Sequence, residues 1–536
     1  MDAAVPLATV LGSGGEKVGI VAVALLAAAA VLATSRRRRA QVMAATLVLA
    51  PLLLLAEVWD TSQVHFLRNH PATALVAVAC ALAAVAALAA LLHRHPRLLP
   101  PLALAALPFR LPIAAGGRPV NLLIPLYLVV AAGALAWALP VLRERERMDL
   151  DPHADVAVKR AGPRPRARPR GLEYALLAFI VLYGAQAAYS SDARTALQQM
   201  VFFYVPFALL FSLLREVDFD AALARRCLIV LVGLAFVFVG IGFVEYATRH
   251  LLLNPRVIRT NESSTYFRVN SIFFDPNIYG RFLVVVMLGL AAAVLWARNR
   301  RDRLLGVLAL AVLWAGLVLT LSQSSFVALL LGLALLAALR WSVRRTLLVV
   351  GVVAALGAGA AIAFPGKLCP HRRSLSACTS GRTDVSTGGL RLVRDRPLYG
   401  FGSGSFREQY KARLDPSQRR GLTASHNTAI TIGAEQGAIG LVAYLLLLFL
   451  AFRMLATGFA GAGEESIGAA RAAVAAAFAG LVLHTMFYAD FLEDPMTWAL
   501  LGIGFAMAPP PRTASIAQRV ARRQARRARA SGAAAS

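Results

Sequence analysis

Apolar runs of about 17 to 22 residues, rich in Leu, Ala and Val, recur along the chain between short polar or arginine-bearing connections. Such runs are long enough to cross a bilayer as helices, and they lack the period-two alternation of an outer-membrane barrel strand. The pattern predicts spans at 18–34, 41–58, 72–92, 99–114, 119–142, 172–189, 199–214, 227–245, 278–297, 304–321, 324–340, 346–364, 438–455, 469–487 and 493–508. The weakest are 99–114 and 493–508. The first carries Pro108, Arg110 and Pro112, which predicts a broken or re-entrant helix lining a cavity. The expected fold is all-α, a polytopic transmembrane helical bundle of about 13–15 spans with a large extracytoplasmic loop near the C-terminal end.

Short loops rich in Lys and Arg stay in the cytoplasm. Arg36 to Arg39, the segment from Arg143 to Arg170, Arg225 and Arg226, Arg298 to Arg303, Arg340 to Arg345 and the tail from Arg519 all fall on one side. Loops 59–71, 190–198, 246–277, 365–437 and 488–492 then face outward, and odd parity places the N-terminus outside. The expected organisation is N-terminal spans at 1–142, a basic Pro-rich cytoplasmic linker at 143–171, and central spans at 172–364 with the outward loop 246–277. The large outward loop 365–437, C-terminal spans at 438–508 and a basic cytoplasmic tail at 509–536 follow.

A 58% hydrophobic content and a mean hydropathy of +0.63 exclude a soluble globule. The net charge of +28 is topogenic, scattered over cytoplasmic loops and ends, so no nucleic-acid partner is expected. Residues 1–15 lack a basic leader, and the first apolar run ends at four arginines, so it reads as a retained anchor. Cys80 and Cys227 fall in predicted spans. Cys369 and Cys378 lie close together in the outward loop, where oxidising conditions permit a disulfide.

Polar chemistry concentrates between the spans on the outward side. A bilayer penalises uncompensated polar groups, which makes Arg268, Asn270, Asp275, Asn277, His426, Asn427 and Glu435 candidates for function. The loop 365–437 holds twelve Lys or Arg against five Asp or Glu, an excess that runs against the topogenic bias. An anionic ligand and anionic lipid head groups both account for it. Asp275-Pro276-Asn277 is also a helix-start signature, with Asn277 able to cap the span beginning near Ile278. Arg281, one turn in, is placed to snorkel to the head groups. Glu435 is placed to bind an arginine or a loop amide and so shape a site. Gly400-Phe-Gly-Ser-Gly404 lacks the flanks of a dinucleotide loop and reads as a flexible turn.

Taken together, Arg268, Asn270, Phe273, Asp275-Pro-Asn277 and Gly280, then Leu321-Ser322, Arg382, Arg391, Asp395-x-Pro397 through Phe406, His426-Asn427 and Glu435-Gln-Gly437 resemble the O-antigen ligase and polymerase superfamily over about 260–505. One departure is visible: the family often has Ser-Arg at the span end where this chain has Ser322-Gln323. The resemblance implies a multi-pass glycosyltransferase of the cytoplasmic (inner) membrane. It would draw on an undecaprenyl-diphosphate-linked oligosaccharide at the outer face and pass it to a glycan, lipid or protein acceptor among membrane lipids. A lipid diphosphate is already a good leaving group, so arginines can replace a divalent cation, and neither metal nor cofactor is expected. Arg268 and Arg382, then Arg391, are expected at the diphosphate, with Arg281, Asp275, Asn277 and Asn427 around the substrate. His426 is expected as base or acceptor-orienting residue, alongside Arg268 and Glu435 in catalysis. A polysaccharide transporter or lipid-linked-glycan flippase is the alternative, since cationic cavities and a broken helix suit it too.

Overall fold

Polar caps and prolines cut the apolar runs into helices. In the computed structural model, which describes residues 7–58, 65, 69–115, 118–150, 171–252, 257–258, 261, 266–349, 351–352, 382–414, 425–457 and 466–508, the Asp192, Asp220, Asp275, Asn299, Asn427 and Asp494 side chains accept from backbone amides of the first turn. The helices are α1 Leu7–Leu32, α2 Arg36–Val58, α3 Pro71–Arg94, α4 Leu99–Ala106, α5 Ile124–Leu150, α6 Gly171–Gln186, α7 Ala193–Gln199, α8 Val205–Leu214 and α9 Ala221–Thr248. They continue with α10 Pro276–Trp296, α11 Arg300–Thr320, α12 Gln323–Arg340, α13 Arg382–Asp395, α14 Phe406–Ala412, α15 Thr428–Ala456, α16 Ser466–Thr485 and α17 Pro495–Met507. A π turn, Met200–Tyr204, joins α7 to α8.

Eleven helices among the described residues are long and apolar enough to cross a membrane, and α17 is a shorter apolar one. On α3, Leu75, Val76, Val78 and Leu82 point outward and are exposed, an arrangement stable only where the surrounding solvent is hydrocarbon. The interior is built around α10, which packs against α11, α12 and α16, and around α1, which packs against α2, α6 and α8. Phe273, Tyr279, Phe282 and Phe238 form an aromatic cluster at the start of α10, with ring centroids 5.3–5.5 Å apart.

At one end of the bundle, Arg39 pairs with Glu216 at 2.6 Å, and Arg215 pairs with Glu173, itself buried. Charges that deep persist only when paired. Helix α6 carries Glu173 at this end and reaches the opposite end at Gln186, which donates to the Gln436 carbonyl at 3.2 Å.

Several expectations change. The run 99–114 is not a span: α4 stops at Ala106, and an antiparallel hairpin follows, β1 Leu111–Ala115 on β2 Arg118–Leu122, with Leu111 opposite Leu122. Of the span expected at 346–364, most lies outside the described residues, as do Cys369 and Cys378. Part of the outward loop 365–437 is helical, in α13, α14 and the first turns of α15. Helix α15 begins at Thr428, ten residues before the expected 438, because Gly437 (φ 66°, ψ −162°) breaks it in two. There the Ala438 amide donates to the Pro397 carbonyl at 2.7 Å, so the break is locked by the connection after α13. The cap of α10 is Asp275, not Asn277: its carboxylate accepts from the Asn277 amide at 2.6 Å, with Pro276 as first helical residue.

Candidate functional site

The loop before α10 is tied down from below. Buried Glu245, near the end of α9, accepts from the amides of Asn270 (3.1 Å), Ser271 (2.8 Å) and Leu252 (3.3 Å). A carboxylate holding three backbone donors fixes the loop that presents Arg268. Half-buried Arg268 donates from Nε to the Thr320 carbonyl at 2.9 Å and from Nη2 to Asn277 Oδ1 at 3.3 Å. Ser322 donates to the same Oδ1 at 2.9 Å. Its hydroxyl lies 3.3 Å from Ser324 Oγ, which lies 3.1 Å from Nε2 of the buried His484. A polar relay thus runs from Arg268 across α10 and α12 to the end of α16.

The connection 486–494, between α16 and α17, continues it. The Tyr488 ring sits 5.9 Å from the His484 ring and 6.1 Å from that of His426, with the Arg281 guanidinium 5.8 Å from its centroid. Arg281 is buried and pairs with Asp494 at 2.9 Å, so of its two readings, substrate contact and snorkelling to head groups, the second does not hold. Asp494 also caps α17 through the Met496 amide. Asp490 adopts a left-handed conformation (φ 73°). Burial raises its carboxyl above the usual range, while the positive charges of Arg281, Arg110 and His426 pull it down. Arg110, from the segment expected to be broken, is therefore a neighbour of this site.

Glu493 lies on the same connection and accepts from the Tyr204 hydroxyl at 3.2 Å. Burial, then the neighbouring Asp490 and Glu435 carboxylates, push it up to about 8. A carboxyl whose folded pKa is raised contributes stability that is full below its ordinary value and lost as pH rises through the raised one. The thermal midpoint of the protein is expected to fall as pH rises from near 4.5 through about 8. The Glu493→Gln variant flattens that slope; an equal slope in both proteins contradicts the assignment.

Glu435 is a clamp. Both carboxylate oxygens are engaged, with the Gly404 amide at 2.8 Å and the Phe406 amide at 3.0 Å, and its backbone carbonyl accepts from Gly402 at 2.8 Å. The turn expected to be flexible is packed. Gly400, Gly402 and Gly404 all have positive φ, and a Cβ on the first two would collide with the backbones of Glu435 and Ser190. Asn427 is equally committed: it caps α15 through the Ile430 amide at 3.1 Å and donates to the Met486 carbonyl at 3.0 Å. His426, just before it, has a left-handed backbone (φ 56°) and is half-buried.

The structure therefore brings Arg268, Asp275, Asn277, Arg281, His426, Asn427 and Glu435 to one end of the bundle. Arg391 stands apart, exposed on α13. Arg382 opens that helix, and its side chain lies outside the described residues. The basic excess of the outward loop is partly spent internally. Arg396 and Arg413 stack on Phe401 at 4.7 and 4.9 Å, and Arg413 pairs with Asp395 at 3.0 Å. Sequence reasoning missed Glu245, His484, Tyr488, Asp490 and Glu493. Ionisable groups inside or between apolar helices were the available signal.

A bundle of apolar helices with polar groups gathered at one end defines a multi-pass membrane protein. Residues 308–445, from within α11 to within α15, match the family model for O-antigen ligase. The match is narrower than the 260–505 over which the motifs resemble the superfamily, and it leaves out Arg268 and the 486–494 connection. No curated protein matches the chain.

Proposed function

We propose that the protein is an O-antigen ligase-like membrane glycosyltransferase that transfers or polymerises glycan from an undecaprenyl-diphosphate-linked donor at the outer face of the cytoplasmic membrane, without a metal. The observation that carries this reading is the convergence of Arg268, Arg281 and His426 at the end of the bundle opposite the Arg39 and Arg215 ion pairs. The O-antigen ligase match at 308–445 supports it. In the reaction, an acceptor hydroxyl oxygen attacks the anomeric carbon of the donor sugar, the bond to the diphosphate breaks, and the hydroxyl proton passes to His426. The diphosphate leaves with its charge, which in this reading Arg268 neutralises. Arg281, held by Asp494, contributes field and orientation through Tyr488. Arg382 and Arg391 remain candidates for the carrier head group, and Asp275 and Asn277 hold the Arg268 loop. The acceptor is a glycan, a lipid or a protein. A flippase or transporter is less well supported, because a transport path needs ionisable groups along the middle of the membrane and these gather at one end.

Purified protein in liposomes loaded with the host's lipid-linked oligosaccharide is expected to form a new glycosidic bond at a rate unchanged by EDTA. Glycan moving across the bilayer with no new bond contradicts the reading.

A further inference from the structure

A cavity of about 300 Å³ lies beside the relay, at the small end of the range, roughly 300–1,000 Å³, typical of ligand pockets. One wall is the π turn, which supplies Phe202, Phe203 and Tyr204 together. Single π turns are frequent at functional sites because they re-aim side chains that an α-helix would separate. The lining also includes Asp490, Phe491 and Glu493, the last accepting from the Tyr204 hydroxyl at 3.2 Å, together with Gln198, Thr431 and Arg407. Glu435 borders the space too, but its carboxylate is occupied by the Gly404 and Phe406 amides. Asp490 faces both ways. It lines the cavity and stands in the field of Arg281, Arg110 and His426, so it borders both the cavity and the proposed reacting groups.

The lining separates two chemistries. The carboxyl groups of Asp490 and Glu493, which burial shifts toward their neutral form, offer a diphosphate no cation, so the diphosphate belongs on the arginine side of Asp490. Carboxyl, amide and hydroxyl groups beside aromatic faces suit a ligand with many hydroxyls and flat apolar C–H surfaces. Resting on the glycosyltransferase reading, we infer that this cavity binds an uncharged sugar end of a glycan, a mono- or disaccharide, with Asp490 and Glu493 accepting its hydroxyls and Phe203 against its ring. The sugar is the donor's or the acceptor's; both offer the same chemistry.

The test uses full-length protein in detergent and two probes: the host's repeat-unit oligosaccharide, released from its carrier by mild acid and so free of lipid and phosphate, and farnesyl diphosphate. Asp490→Asn keeps a side chain that tolerates positive φ, and Phe203→Ala changes the lining supplied by the π turn, so the two variants perturb folding differently. Each is expected to weaken oligosaccharide binding by about tenfold, the loss of one good polar or stacking contact. Farnesyl diphosphate binding stays within about twofold, as expected if the carboxylates never meet the phosphates. In transfer assays the KM that rises, donor or acceptor, tells which sugar occupies the cavity. Unchanged oligosaccharide affinity in both variants, or a loss of farnesyl diphosphate affinity instead, overturns the assignment. Wild-type protein that binds the free oligosaccharide through these residues yet forms no glycosidic bond would overturn the transferase reading and leave the sugar pocket standing.

Discussion

Arg268→Ala is expected to abolish glycan transfer, by about 10²-fold or more in turnover, while protein level and membrane insertion stay at wild-type values. The expectation follows from its place on the loop that Glu245 holds, with Nε and Nη2 directed onto Thr320 and Asn277, so the guanidinium is held in one orientation for the proposed diphosphate contact. Removing the side chain also leaves the Asn277 Oδ1 with the Ser322 hydroxyl as its remaining side-chain donor from the relay. Arg268→Lys separates the two effects. It keeps the charge and loses the planar fork, so it recovers part of the turnover if charge on the departing diphosphate dominates and none if the fork geometry does. Product formed at the wild-type rate by Arg268→Ala, measured at equal expression, removes Arg268 from the reaction.

Glu435→Ala has the second large effect, and it falls on stability. Two buried amides, Gly404 and Phe406, lose their acceptor, at about 1–3 kcal/mol for each unsatisfied group. The turn they anchor is wedged against Ser190 and Ala196, so the loop carrying α13 and α14 loosens from the bundle. The expected result is a much lower thermal midpoint, and protease cleavage after α13 that the wild type resists. Glu435→Gln retains one carbonyl acceptor and loses less. A positioning residue shows activity that follows stability across the two variants. Full stability with lost turnover in Glu435→Gln would instead make the carboxylate a catalytic group.

Span placement was legible because bilayer thickness writes itself into run length: the span expected at 278–297 is α10 at 276–296, and that at 324–340 is α12 at 323–340. The start of α15 was not, since nothing in hydropathy distinguishes a helix broken at Gly437 from a loop that ends there. The residues brought together by Tyr488 were hidden for a different reason. His484 sits 160 residues from Ser324, which it contacts, and no local period links the two. Arg281 shows the converse error. A cation one turn into a span fits snorkelling as well as pairing, and only the position of Asp494 decides between them. The arginine excess of the outward loop likewise overstated the charge available to a ligand, because Arg396 and Arg413 are committed to Phe401, and Arg413 also to Asp395.

The most direct test of the account is the glycan attached to the polyprenyl carrier in cells whose only copy carries His426→Ala, compared with wild type at equal expression. The account predicts that carrier-linked glycan accumulates, as single units if the enzyme polymerises and as long chains if it transfers finished glycan. A carrier-linked profile identical to wild type contradicts it.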